Sequence, residues 1–92
     1  MPIVRVTSTR PNTEVQFYSY PFDFLMALRA RHNYDSHLTS TQDGLTRVVE
    51  MTFASIEELN AWQNDSERKS SSDLVLAYNK ENGIIVTTEV LT

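Results

Sequence analysis

The sequence predicts an α+β domain in which strands and helices follow one another as strand, helix, strand, strand, helix, strand. Three observations predict it. The segment from Leu45 to Phe53 alternates between two faces as only a strand does. An Asp43-Gly44 turn joins it to a preceding strand. Two helix signals, Pro21 ahead of Phe22 and Ser55-Ile56-Glu57-Glu58, stand on either side of that hairpin.

The first strand is Pro2 to Thr9, rich in β-branched residues. Arg10-Pro11-Asn12 ends it, because proline lacks the ladder donor and asparagine favours turns. Thr13 to Tyr20 fits a strand extension or a connector equally. Pro21 then suits a helix start, where its missing N–H costs nothing. Phe22 to His32 carries Phe24, Leu25 and Leu28 at helical spacing. Arg29, Arg31 and His32 complement the dipole in its last turn, and Asn33 suits a left-handed cap.

His37 to Gln42 is the second strand, leading into a two-residue Asp43-Gly44 turn. In the third strand Leu45, Arg47, Val49, Met51 and Phe53 share one face; Thr46, Val48, Glu50 and Thr52 share the other. Ser55 and Glu58 then form a capping box, each side chain expected to bond the other's backbone N–H. Ile56, Leu59 and Trp62 or Gln63 form the buried side of the helix that follows. Asp65 to Ser72 reads as a polar loop or a loosened turn, Leu74 to Asn79 as a second helical piece capped by Ser72 or Asp73, and Gly83 as its end. Ile84 to Leu91 is the last strand. This order is the split β-α-β, ferredoxin-like motif, in which both helices cover one face of an antiparallel sheet.

Composition narrows the function. With 92 residues the chain fits a single domain, 1–92. It contains no cysteine, which excludes disulfides, thiolate metal sites and a cysteine nucleophile. The net charge is −4 with eight basic residues spread along the chain, not the basic stripe of a nucleic-acid binder. No apolar run approaches the ~20 residues of a membrane span, and the N-terminus lacks the pattern of a signal peptide. We expect a soluble cytoplasmic protein with neither nucleic acid nor membrane as partner.

The first and last strands of the chain carry apolar residues on both faces: Ile84, Val86 and Val90 on one side of the last strand, Ile85 and Leu91 on the other, with Ile3 and Val4 adjacent in the first. A sheet with one wet face should alternate instead. A homodimer that buries the second face resolves this.

The segment Phe53-Ala54-Ser55-Ile56-Glu57-Glu58-Leu59 followed by Ala61-Trp62 resembles the dimeric α/β-barrel superfamily, and within it the antibiotic-biosynthesis-monooxygenase-like domains. There a strand ending in Phe is followed by a helix of the form S-x-E-x-L-x-x-W. The motif spans about ten residues, the order of elements most of the chain. The resemblance implies a dimer whose two sheets face each other with helices outside, and a small pocket between helices and sheet. In haem-degrading members a Trp on the second helix, an Asn near the first strand and a downstream His act together. Trp62 and Asn12 would match the first two, but no histidine lies between Trp62 and Gly83, which argues against haem. Cofactor-free relatives use the Asn and Trp to hold a phenolic substrate, so no cofactor is expected.

Taken singly, Trp62 is better read as core than as pocket wall. Arg47 on an apolar face needs Glu50, Glu89 or a ligand carboxylate as partner, unless it snorkels at a sheet edge. Tyr34 and His37 join it as candidate ligand-binding residues. His32, Asp35 and His37 form an H-x-x-D-x-H pattern, but it spans a turn without supporting partners, so no metal site is expected. Phe17, Tyr18, Tyr20 and Phe22 read as a lid over the core and part of a dimer rim. The preferred function is a small homodimeric accessory or interaction domain with a small-molecule or protein partner. The alternative is a cofactor-free monooxygenase-like enzyme acting on a phenolic or polycyclic substrate.

Overall fold

A computed structural model describes residues 1–91. Seven elements follow in order: β1 (Ile3–Thr9), α1 (Phe22–Arg31), β2 (Tyr34–Ser40), β3 (Thr46–Phe53), α2 (Ile56–Gln63), α3 (Ser66–Asn82) and β4 (Ile85–Leu91). The strands form one sheet in the order β2-β3-β1-β4, and every pairing is antiparallel. This is the ferredoxin-like α+β architecture, with the second helical piece read from Leu74 to Asn79 extended back to Ser66 as α3.

Strand parity sorts the residues onto two faces. The register sets Val4 opposite Met51 and Val90, and Tyr34 opposite Phe53. These side chains and their alternates meet the helices. Val4, Tyr34, Phe53 and Leu59 form the buried cluster, with Val6, Met51 and Trp62 packed against it. Phe53 is fully enclosed, its ring 5.2 Å from Tyr34 and 5.3 Å from Trp62. On the other face lie Ile3, Arg5, Thr7 and Thr9 of β1, with Thr46, Val48, Glu50 and Thr52 of β3 opposite them.

Several local expectations change. β2 begins at Tyr34, three residues earlier than read, because pairing with β3 extends through Tyr34↔Phe53. The helix before it therefore ends at His32 in extended conformation (φ −130°, ψ 140°), and Asn33 is not left-handed. The hairpin is longer than two residues. Thr41 N–H donates to the Thr46 carbonyl, Gly44 N–H donates back to the Thr41 carbonyl, and only Gly44 has positive φ (74°). The Asp43 carboxylate instead accepts from the Thr41 hydroxyl and the Leu45 N–H, which holds its pKa below the ordinary value. A Cβ at Gly44 would also stand 3.3 Å from the Arg10 guanidinium.

Ser55 caps α2 as expected, accepting from the Glu58 N–H at 3.2 Å. The reciprocal bond is diverted: the Glu58 carboxylate accepts from the Asn33 N–H, tying α2 to the start of β2. Ile56 is exposed, not buried; α2 turns Leu59 and Trp62 to the sheet instead. The serine-rich stretch is no loop. Asp65 caps one 17-residue helix by accepting from the Glu67 and Arg68 N–H groups, which supersedes Ser72 or Asp73 as the cap. Gly83 ends it in left-handed conformation, φ 71°. In α1 only Leu28 is buried; Phe24 is half-buried and stacks on Tyr20.

Candidate functional site

Two regions of the sheet carry unusual chemistry, one on each face.

On the open face, residues facing each other across all four strands form a row. His37 of β2 is opposite Glu50 of β3, Glu50 opposite Arg5 of β1, and Arg5 opposite Glu89 of β4. Arg5 and Glu50 make a half-exposed ion pair at 3.5 Å. Thr39, Thr7 and Thr87 occupy the neighbouring row with Val48, and Thr9 and Thr46 share a hydroxyl hydrogen bond of 3.2 Å further along. Ile3 and Leu91 at one end and Ile85 at the other complete the face, with Ile85 69% exposed. β4 is exposed along its whole length: even on the helix side, Val86 and Val90 are 37% and 48% exposed. It is an edge strand of the sheet.

On the helix side stands Arg47. β3 is central in the sheet, so Arg47 cannot snorkel at an edge. Glu50 and Glu89 lie on the opposite face, so neither partner named from the sequence reaches it. Its Nε is buried without a hydrogen-bond partner, and burial pushes its pKa down. The guanidinium lies 4.6 Å from the centre of the Phe17 ring, which also receives Arg10 at 4.9 Å. Arg10 holds the connector there, donating to the Gly44 carbonyl at 2.8 Å and the Val15 carbonyl at 2.9 Å.

Tyr20 completes this cluster. Burial raises the pKa of its phenol, opposed by the nearby charges of Arg47 and Arg68. Arg68 packs over the Trp62 ring at 4.3 Å and donates to the Trp62 and Gln63 carbonyls. The Trp62 indole N–H is itself buried without a partner. Tyr18 leans edge-on against Tyr20 and Tyr78, and the Tyr78 hydroxyl donates to the Gln16 carbonyl at 2.6 Å. The aromatic run thus roofs the helix side, apart from Phe22, which is 73% exposed.

The remaining candidates are dispersed. Asn12 sits in the turn after β1, its side-chain oxygen accepting from the N–H groups of Glu14 and Val15. Tyr34 lies in the core beneath Arg29, with a phenol pKa raised by burial. His37 belongs to the open face. His32 binds Asp65, while Asp35 faces Arg29 at 3.8 Å. Among the described residues no group of three or more His, Asp or Glu side chains is placed to hold a metal.

Asp65 escaped the sequence reading. Its carboxylate accepts from Arg31 twice at 3.0 Å, from His32 at 2.8 Å and from two backbone N–H groups. Those bonds, Arg31's foremost, hold its pKa well below the usual carboxylate range. The available signal was Asp65 followed by Glu67, an N-cap with an acid in the first turn.

No helix among the described residues is long and apolar enough to cross a membrane. No family model matches the sequence, and no curated protein does either. Among solved structures the fold is similar to that of Rv0793 from Mycobacterium tuberculosis, with a TM-score of 0.54 over 100% of this chain and 94% of that one. At 19% sequence identity, that likeness establishes a shared fold along the whole chain.

Proposed function

We propose that the protein is a small homodimeric interaction domain whose two sheets pair through their open faces. The observation that carries this reading is the row His37, Glu50, Arg5, Glu89. It is self-complementary. A two-fold axis running along the strands between β3 and β1 would set each β3 over the partner's β1 and each β2 over the partner's β4. Every carboxylate then meets a guanidinium or an imidazole, and isologous interfaces require that kind of self-matching. Aligned sheet packing with strands within about 30° keeps the rows in register. Half-buried Ile3 and Val48 and exposed Ile85 and Leu91 supply apolar contact around the row, and the fully exposed β4 would gain cover.

Cofactor-free oxygenation through Asn12 and Trp62 has less support. Asn12 uses its side-chain oxygen within its own turn, whereas Trp62 packs on Phe53.

Light scattering behind size-exclusion chromatography tests the proposal. We expect twice the 10.6 kDa chain mass, and a shift to the chain mass itself in Arg5→Glu. A wild-type protein that is monomeric at all accessible concentrations overturns it.

A further inference from the structure

We propose that His37 makes the dimer of the preceding section tighten as pH falls, its imidazole facing the partner's Glu89 across the interface, an inference that rests on that dimer and names its regulation.

The charges of the row are unbalanced while the imidazole is neutral. His37, Glu50, Arg5 and Glu89 follow one another across the four strands. Arg5 pairs with Glu50 at 3.5 Å, and among the described residues Glu89 makes no ion pair. Two carboxylates against one guanidinium leave the row negative. Laying two such rows face to face sets like charges together in a region that the interface shields from water, where they repel more strongly than in bulk solvent. A proton on each His37 balances both rows.

The two-fold axis decides which groups meet. An axis along the strands keeps each residue's height in the sheet and exchanges β2 with β4, so His37 comes over Glu89 of the partner subunit, twice per dimer. Every other charge near His37 is already engaged. On its own strand and face, Asp35 pairs with Arg29 of α1 at 3.8 Å. From β3 it meets Glu50, which Arg5 of β1 holds. On the facing strand, β4, Glu89 is the one charged side chain. His32, the chain's other histidine, is bound to Asp65 and buried.

Histidine is the side chain whose charge ordinarily changes between about pH 5 and 8. Because the dimer favours the charged imidazole, protonation must favour the dimer by the same factor. The gain ends below about pH 5, where the carboxylates begin to lose their own charge.

Sedimentation equilibrium of the full-length chain at about pH 8 and about pH 6 tests the switch. Two surface-strength pairs per dimer should lower the dissociation constant about tenfold at the lower pH. His37→Gln should keep the weaker affinity at both pH values. His37→Lys, charged at both, should be as tight at the higher pH as the wild type is at the lower. Glu89→Gln should also lose the pH dependence, since the imidazole then faces no carboxylate. His37 and Glu89 are exposed, so these changes leave the core intact. A wild-type dimer whose affinity stays constant or weakens between the two pH values overturns the switch and leaves the dimer standing. So does an equal tightening in His37→Gln, which would assign the effect to the overall charge. A chain that is monomeric at both pH values overturns the dimer and the switch together.

Discussion

His32 and Asp65 are 33 residues apart in the chain, yet the imidazole Nε2 stands 2.8 Å from the Asp65 carboxylate with both side chains more than nine-tenths buried. Because the carboxylate can only accept, Nε2 carries the proton. Arg31 adds two bonds to the same group. The end of α1 is thereby fastened to the first turn of α3, whose N-terminal N–H groups Asp65 also caps.

Removing that carboxylate should loosen both helices. Asp65→Ala loses the cap and the bonds from Arg31 and His32, and we expect a loss of about 1–2 kcal/mol from the cap alone. For a domain of this length each kcal/mol lowers Tm by about 4–8 °C. Asp65→Asn keeps a good cap and should lose less, so thermal melts of the two variants separate cap from charge.

The same carboxylate sets a pH dependence. Its folded pKa is depressed by Arg31 first and His32 next, while an unfolded Asp titrates near about 3.9. Its contribution is therefore fully present above that value and declines as pH falls below it. Urea midpoints of wild type and Asp65→Asn should differ at pH 7 and converge below about pH 4. A gap unchanged down to about pH 2 would assign the effect to packing.

Phe53 is the best-enclosed side chain, at 0% exposure between Tyr34 and Trp62. Phe53→Ala should cost about 3–5 kcal/mol. Small domains have little more than that in total, so the variant should be largely unfolded at 37 °C by circular dichroism.

Gly83 holds φ at +71° with an open Cβ position, 3.6 Å from the nearest Pro11 atom. The cost of Gly83→Ala is thus backbone strain, about 1–2 kcal/mol, without steric exclusion. Denaturant midpoints should fall while the folded spectrum is retained.

In the open-face row, Arg5→Glu sets three carboxylates side by side, the introduced one lying between those of Glu50 and Glu89. The double exchange Arg5→Glu with Glu50→Arg restores the cross-strand pair and the pairing across the proposed two-fold axis. The double variant should recover the dimer mass that the single one loses, as read by light scattering.

Much of the fold was legible because its signals are local. The alternation of β3, the Ser55 cap and the Gly83 terminator depend on residues within one or two turns of one another. The errors arose where a partner far along the chain decided. Glu58 was expected to close its own capping box, but Asn33 N–H claims it. The stretch after Asp65 read as a loop because serines are weak helix formers. The cap, and Arg68 bonded back onto the end of α2, hold it helical.

The sequence by itself determined the order of strands and helices, the face on which each β3 residue lies and the absence of any thiol chemistry, since periodicity, caps and composition are properties of neighbours in the chain. Tertiary structure alone decided that Arg47 sits mid-sheet without an acid, that Asp65 draws in Arg31 and His32, and that His37, Glu50, Arg5 and Glu89 fall into one row. Each of those depends on strand order and register, which bring together residues dozens of positions apart, and no local pattern in the chain encodes which of them will meet.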